Sequence, residues 1–172
     1  SEVERLVREV EKDLERERRR LEKTVRDSER LVRELKETLD RLLKRDKDVV
    51  DDARRKNSKD ERLRKRLEEH LRRTKEELRR LKEENRDVAR KLREEHKRTE
   101  ERLDERLEDL ERKISDKSVV DRLREIVKEL KDRNRKVVKE LEDIHRDSDR
   151  ELDDVVRRSD EIIRELVERL KT

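Results

Sequence analysis

Apolar residues recur along the chain at steps of three and four and never alternate, a pattern that predicts helix from end to end. They form three ladders of inward-facing positions. The first climbs from Val3 through Leu14, Leu21 and Leu35 to Ala53, the second from Leu63 through Leu78 and Leu92 to Ile114, and the third from Val120 through Val138 and Leu152 to Leu170. Rungs fall about 3.6 residues apart, the period of a straight helix and not the 3.5 of a left-handed supercoil. Between the ladders the pattern breaks only at RKNSKD and ISDKS. With no Gly or Pro to punctuate the chain, capping side chains must do so. Ser1 with Glu4, Ser58 with Glu61 and Ser118 with Asp121 fit the capping-box spacing, and turns are expected at 57–59 and 115–117. The prediction is one domain over 1–172 with helices over about 2–56, 59–114 and 119–171.

Short turns make successive helices antiparallel, so the fold class expected is all-α: an up-down-up three-helix bundle of long, nearly straight, coiled-coil-like helices. Reading the second ladder backwards against the others brings the polar rungs into three bands. Arg18, Thr99 and Asn134 share a layer, with His96 in the next. Ser28 meets His145, and Asn85 meets Ser148 one layer on. Thr74 meets Ser159, and Asp46 meets His70. Each band holds one histidine and draws on all three helices, while the other rungs are Leu, Val, Ile or Ala. A polar group buried without a partner costs about 1–3 kcal/mol, so slipping one helix by a rung would set these groups against leucine.

Composition changes the picture by subtraction. Charged residues make up 63% of the chain and hydrophobic ones 27%, with no aromatic residue, Cys or Met. The 56 basic and 52 acidic residues nearly cancel to +4, and they are interleaved along the chain. Without a basic stripe or an aromatic to stack on bases, nucleic-acid binding is not expected. Absence of Cys removes disulfides and thiolate metal sites. No apolar run approaches the roughly 20 residues that cross a bilayer, so no membrane partner is expected and the chain reads as soluble, its compartment unspecified. The opening SEVERLVREV has no signal-peptide core, and a start at Ser1 without Met reads as a trimmed recombinant chain.

With SEVERLVREVEKDLERERRR, three equal helices and the polar bands His96/Thr99/Asn134, Asn85/His145/Ser148 and Asp46/His70/Thr74/Ser159, the chain resembles the computationally designed helical bundles with buried hydrogen-bond networks. The resemblance implies a scaffold whose bands set pairing specificity, with no natural substrate.

Catalytic and metal chemistry find little support. Asp46, His70 and Ser159 supply the residue types of a Ser-His-Asp triad, but they sit inside continuous helices with no oxyanion hole or cleft. The histidines stand too far apart along the ladders to share a metal. No enzyme activity, cofactor, metal or obligatory partner is therefore expected. The alternatives kept open are a pH-responsive bundle, destabilised when buried histidine is protonated, and a partner-binding or assembly component. A monomer is expected because few apolar residues lie off the ladders, though a domain-swapped dimer would use the same contacts. On the outer faces, Glu68 with Arg72, Glu69 with Arg73 and Glu76 with Arg80 read as solubilising pairs.

Overall fold

The computed structural model describes residues 2–56 and 61–171, with side chains described over 4–55 and 61–169. Three helices account for nearly all of it: α1 Glu2–Lys56, α2 Glu61–Lys113 and α3 Lys117–Lys171. The chain is a three-helix bundle, and helices of this length persist because no residue inside them removes a backbone donor or adds the freedom of glycine. Ser1 and Ser58, the 57–59 turn and the side chains of rungs Val3 and Leu170 lie outside the described residues.

The turn between α2 and α3 corrects one expectation. Ser118 does not cap α3; it is the second helical residue. Asp116 is the cap: its Oδ1 accepts from the Ser118 backbone N–H at 3.0 Å and from the Ser118 hydroxyl at 2.8 Å. Those bonds, with another from the Val119 N–H, hold the Asp116 carboxyl below its ordinary range. Its carbonyl accepts from Val120 N–H at 3.2 Å, while Ile114 N–H still donates to Leu110 at 2.9 Å. A carboxylate at a helix start also meets the positive end of the helix dipole, so α3 begins two residues earlier than the hydroxyl suggested.

Contacts divide the chain into two compact units, each built from all three helices: unit 1 is Ser1–Arg30 with Val88–Asp143, and unit 2 is Leu31–Asp87 with Ile144–Thr172. In unit 1, Asp13 and Glu17 of α1 meet Arg106 and Arg102 of α2, which makes that pair antiparallel. One apolar cluster joins Val10 and Leu14 to Leu103, Leu110, Leu123 and Val127. A second joins Leu21 to Leu92, Val138 and Leu141. Thr99 and Asn134 fall between the two clusters on their helices.

Unit 2 repeats the plan. One cluster holds Val50, Ala53, Leu63, Leu67, Ile163 and Leu166, the other Leu39, Leu42, Leu78, Leu152 and Val155, and Asp46, Thr74 and Ser159 fall between them. Each fully buried leucine contributes about 1.5–3 kcal/mol, so the apolar layers supply the stability. Every described rung is buried or half-buried except Arg18.

Candidate functional site: the buried polar bands

The hydrogen bonds best formed within the core lie in unit 2, between α2 and α3. Asn85 and His145 are each 2% exposed. The Asn85 side-chain amide donates to the His145 backbone carbonyl at 2.8 Å. A carbonyl can only accept, so the amide nitrogen must face it and leaves Oδ1 for the imidazole. Nδ1 of His145 lies 2.7 Å from that Oδ1 and therefore carries the proton, which fixes the tautomer of the neutral ring. One amide thus holds both the side chain and the backbone of a residue on the facing helix. Ser148 is buried one turn further along α3 in unit 2, and Ser28 is buried in unit 1.

The second band of unit 2 is half-buried. His70 Nε2 and Asp46 Oδ1 lie 2.6 Å apart, joining α2 to α1, with side-chain exposures of 19% and 13%. Thr74 and Ser159 are buried beside them, and the Ser159 hydroxyl has no hydrogen-bond partner among the described residues. Asp46, His70 and Ser159 therefore do not form a catalytic chain.

The band of unit 1 has the expected residues but few of the bonds. Thr99 and Asn134 are buried, yet Thr99 Oγ1 and Asn134 Nδ2 have no hydrogen-bond partner among the described residues. His96 turns to its own helix: Nε2 is 3.3 Å from Glu100 Oε1, close enough for charge attraction but not aligned as a hydrogen bond. Glu100 is claimed instead by Arg135, whose Nε donates to Oε1 at 2.7 Å. That bond, against the opposing effect of burial and aided by the charges of His96, Arg135 and Lys131, holds the Glu100 carboxyl below its ordinary range. Arg18 is a correction. It is exposed and lies 3.8 Å from both Glu15 and Glu22 on its own helix, because a long guanidinium chain reaches water and nearby carboxylates at less cost than burial.

A ladder of ion pairs not anticipated from the sequence lies along α2 and α3. In unit 2, Lys75, Lys82 and Arg86 meet Asp160, Asp153 and Asp149. In unit 1, Glu100, Asp104 and Glu111 meet Arg135, Lys131 and Arg124. The residue numbers of every pair add to 235, so the pairing of α2 with α3 obeys the same rule within each unit. The sign reverses between them: α2 is the cationic partner in unit 2 and the anionic partner in unit 1. The signal that would have found this ladder is a repeat. Shifting forward by 49 residues carries Lys75, Lys82 and Arg86 onto Arg124, Lys131 and Arg135, and Glu100, Asp104 and Glu111 onto Asp149, Asp153 and Asp160. The same shift carries Asn85, His96 and Thr99 onto Asn134, His145 and Ser148. It fails at Thr74, whose counterpart is Leu123, and at Ser159, whose counterpart is Leu110.

Among the described residues no three His, Cys, Asp or Glu side chains gather where they could hold a metal, and no helix is long and apolar enough to cross a membrane. No protein-family model matches the chain, and no curated protein matches it in sequence. A solved structure described as a computationally designed three-helix bundle superimposes with a TM-score of 0.50 at 20% identity, over 98% of this chain and 90% of that one. The likeness is one of fold.

Proposed function

We propose that this chain is a designed structural scaffold, and that the task of its buried polar groups is to hold three otherwise similar helices in one register. The observation that carries the reading is the pair of hydrogen bonds between Asn85 and His145, one donated by each residue, both 2% exposed. Leucine at both sites would bury more apolar surface, so the polar pair is better understood as a selector of alignment than as a source of net stability. The fold of the designed bundle described above is in keeping with this.

The test is a distance. Spin labels at Arg79 and Arg157, exposed positions level with each other on α2 and α3, should give one narrow distance by electron double resonance. In the Asn85→Leu/His145→Leu chain a second, longer distance should appear, from helices offset along their axes by about 10 Å, the rise of one heptad. A single unchanged distance in that variant would show that the apolar layers and the ion-pair ladder set the register without the polar pair.

A further inference from the structure

Among the described residues the large hydrophobic side chains left exposed are Leu43, Val137, Ile144 and Ile162, and all of them lie on α1 or α3. Two of them, Leu43 at 44% and Ile162 at 41% exposed, line the same groove of unit 2. This groove runs between α1 and α3, encloses about 360 Å³, and has Val50, Val155 and Ile163 along its floor. It extends over α1 residues 43–54, which is about three helical turns.

Cations outnumber carboxylates along the rim. Lys47, Arg54 and Arg158 line it, and none of the three makes an ion pair or hydrogen bond among the described residues. Of the two carboxylates present, Asp46 is hydrogen-bonded to His70, so Asp51 is the one with uncommitted oxygens beside three cations. On the α2–α3 seam of the same unit, cations at comparable positions have carboxylates opposite them. The groove between α1 and α3 in unit 1 supplies a contrast, because there Glu4 and Glu11 balance Arg8 and Arg122. Ser159 adds a fixed polar point to the unit 2 groove: it is 3% exposed, lines the groove, and its hydroxyl has no hydrogen-bond partner among the described residues.

We propose that the unit 2 groove between α1 and α3 is a docking surface for an amphipathic helix of another polypeptide, with apolar residues on its inner face and acidic residues flanking them. Such a helix covers Leu43 and Ile162 with its apolar stripe, as helices do in other apolar grooves, and its carboxylates neutralise Lys47, Arg54 and Arg158. This site stands on the groove and does not depend on the buried bands acting as register selectors.

The probe is a peptide of about four heptads, long enough to be helical, with leucine at the two inward positions of each heptad and glutamate beside them. Its isomer with lysine in place of glutamate is the charge control. Fluorescence anisotropy against the full chain should show the glutamate peptide binding about tenfold or more tighter than the lysine peptide, with the difference shrinking as salt rises. Leu43→Glu/Ile162→Glu should abolish binding, and Lys47→Glu/Arg54→Glu/Arg158→Glu should reverse the preference. Circular dichroism and the Arg79–Arg157 label distance confirm that each variant retains its fold. Absence of binding, equal binding of both peptides, or unchanged preference after charge reversal overturns the proposal. So does a doubling of the mass of the free chain that Leu43→Glu/Ile162→Glu removes, since the occupant would then be a second copy.

Discussion

Replacing Asn85 with alanine isolates a buried polar contact whose donors and acceptors are all matched between α2 and α3. The substitution removes the donor to the His145 carbonyl and the acceptor from His145 Nδ1–H. The carbonyl keeps its intrahelical partner, but the imidazole N–H, in a residue 2% exposed, loses the Asn85 acceptor. An unpartnered buried donor costs about 1–3 kcal/mol, and the void left by the shortened side chain adds on the order of 1 kcal/mol. The expected loss is therefore about 2–4 kcal/mol. His145→Leu should cost a similar amount by leaving Asn85 Oδ1 without the imidazole donor, while the amide nitrogen keeps the backbone carbonyl. Asn85→Leu/His145→Leu, by contrast, removes donor and acceptor together and should fall within about 1 kcal/mol of the parent on either side. Guanidinium unfolding followed by circular dichroism at neutral pH, with Asn85→Leu as the matching single variant, gives all four corners of the cycle, and single losses of about 2 kcal/mol or more beside a near-neutral double variant correspond to a coupling of about 3 kcal/mol or more. A double variant as unstable as the two single ones added together would refute the reasoning, because the two groups would then contribute independently.

The bands that lack hydrogen bonds should respond the opposite way. Thr99→Val deletes a buried hydroxyl with no partner among the described residues and should leave stability unchanged or raise it by about 1 kcal/mol; a clear drop in thermal midpoint would mean that Thr99 is hydrogen-bonded after all. Acid should weaken unit 1 through Glu100. Its carboxyl is held below the ordinary 4.5, chiefly by Arg135, so its contribution is present above that ordinary value and is lost as pH falls through the lower folded one. Glu100→Gln should therefore flatten the decline of the unfolding midpoint below about pH 5, and an unchanged acid slope would show that the Arg135 pair adds nothing to stability.

Helix number and inward faces were legible because a period near 3.6 leaves little choice of core face, and each described rung apart from Arg18 is buried or half-buried. Arg18 was misread because its place on the ladder says nothing of how far a flexible side chain can swing toward Glu15 and Glu22. The bands were legible as levels and not as bonds. Asn85 reaches past its layer mate Ser148 to His145, since a side chain spans more than the rise between layers, whereas His96 leans away from Asn134 toward Glu100. The start of α3 was missed because Asp116 and Ser118 are both good caps two residues apart, and only the backbone path separates them. Surface pairs were anticipated within helices, as Glu69 with Arg73 at 3.1 Å shows, but Arg72 turns to Glu69 and Glu76 and not to Glu68. The ladder between helices needed the register before its partners could be matched.

The sign reversal in that ladder has a consequence for identity. Along α2 the seam reads three cations and then three anions, and it reads as its own complement when reversed: Lys75 would suit Glu111, Lys82 would suit Asp104, and Arg86 would suit Glu100 of an α2 from another copy. A palindrome of this kind specifies alignment without specifying whose helix is aligned, and Asn85 could in the same way meet a foreign His96. The symmetry is broken where the 49-residue repeat fails. In the register of this chain Thr74 and Ser159 share a layer, but a foreign α2 would offer Leu110 to Thr74 and a foreign α3 would offer Leu123 to Ser159. A foreign helix in this register would therefore set leucine against Thr74 and Ser159, the two small hydroxyl residues that the chain's own register sets against each other.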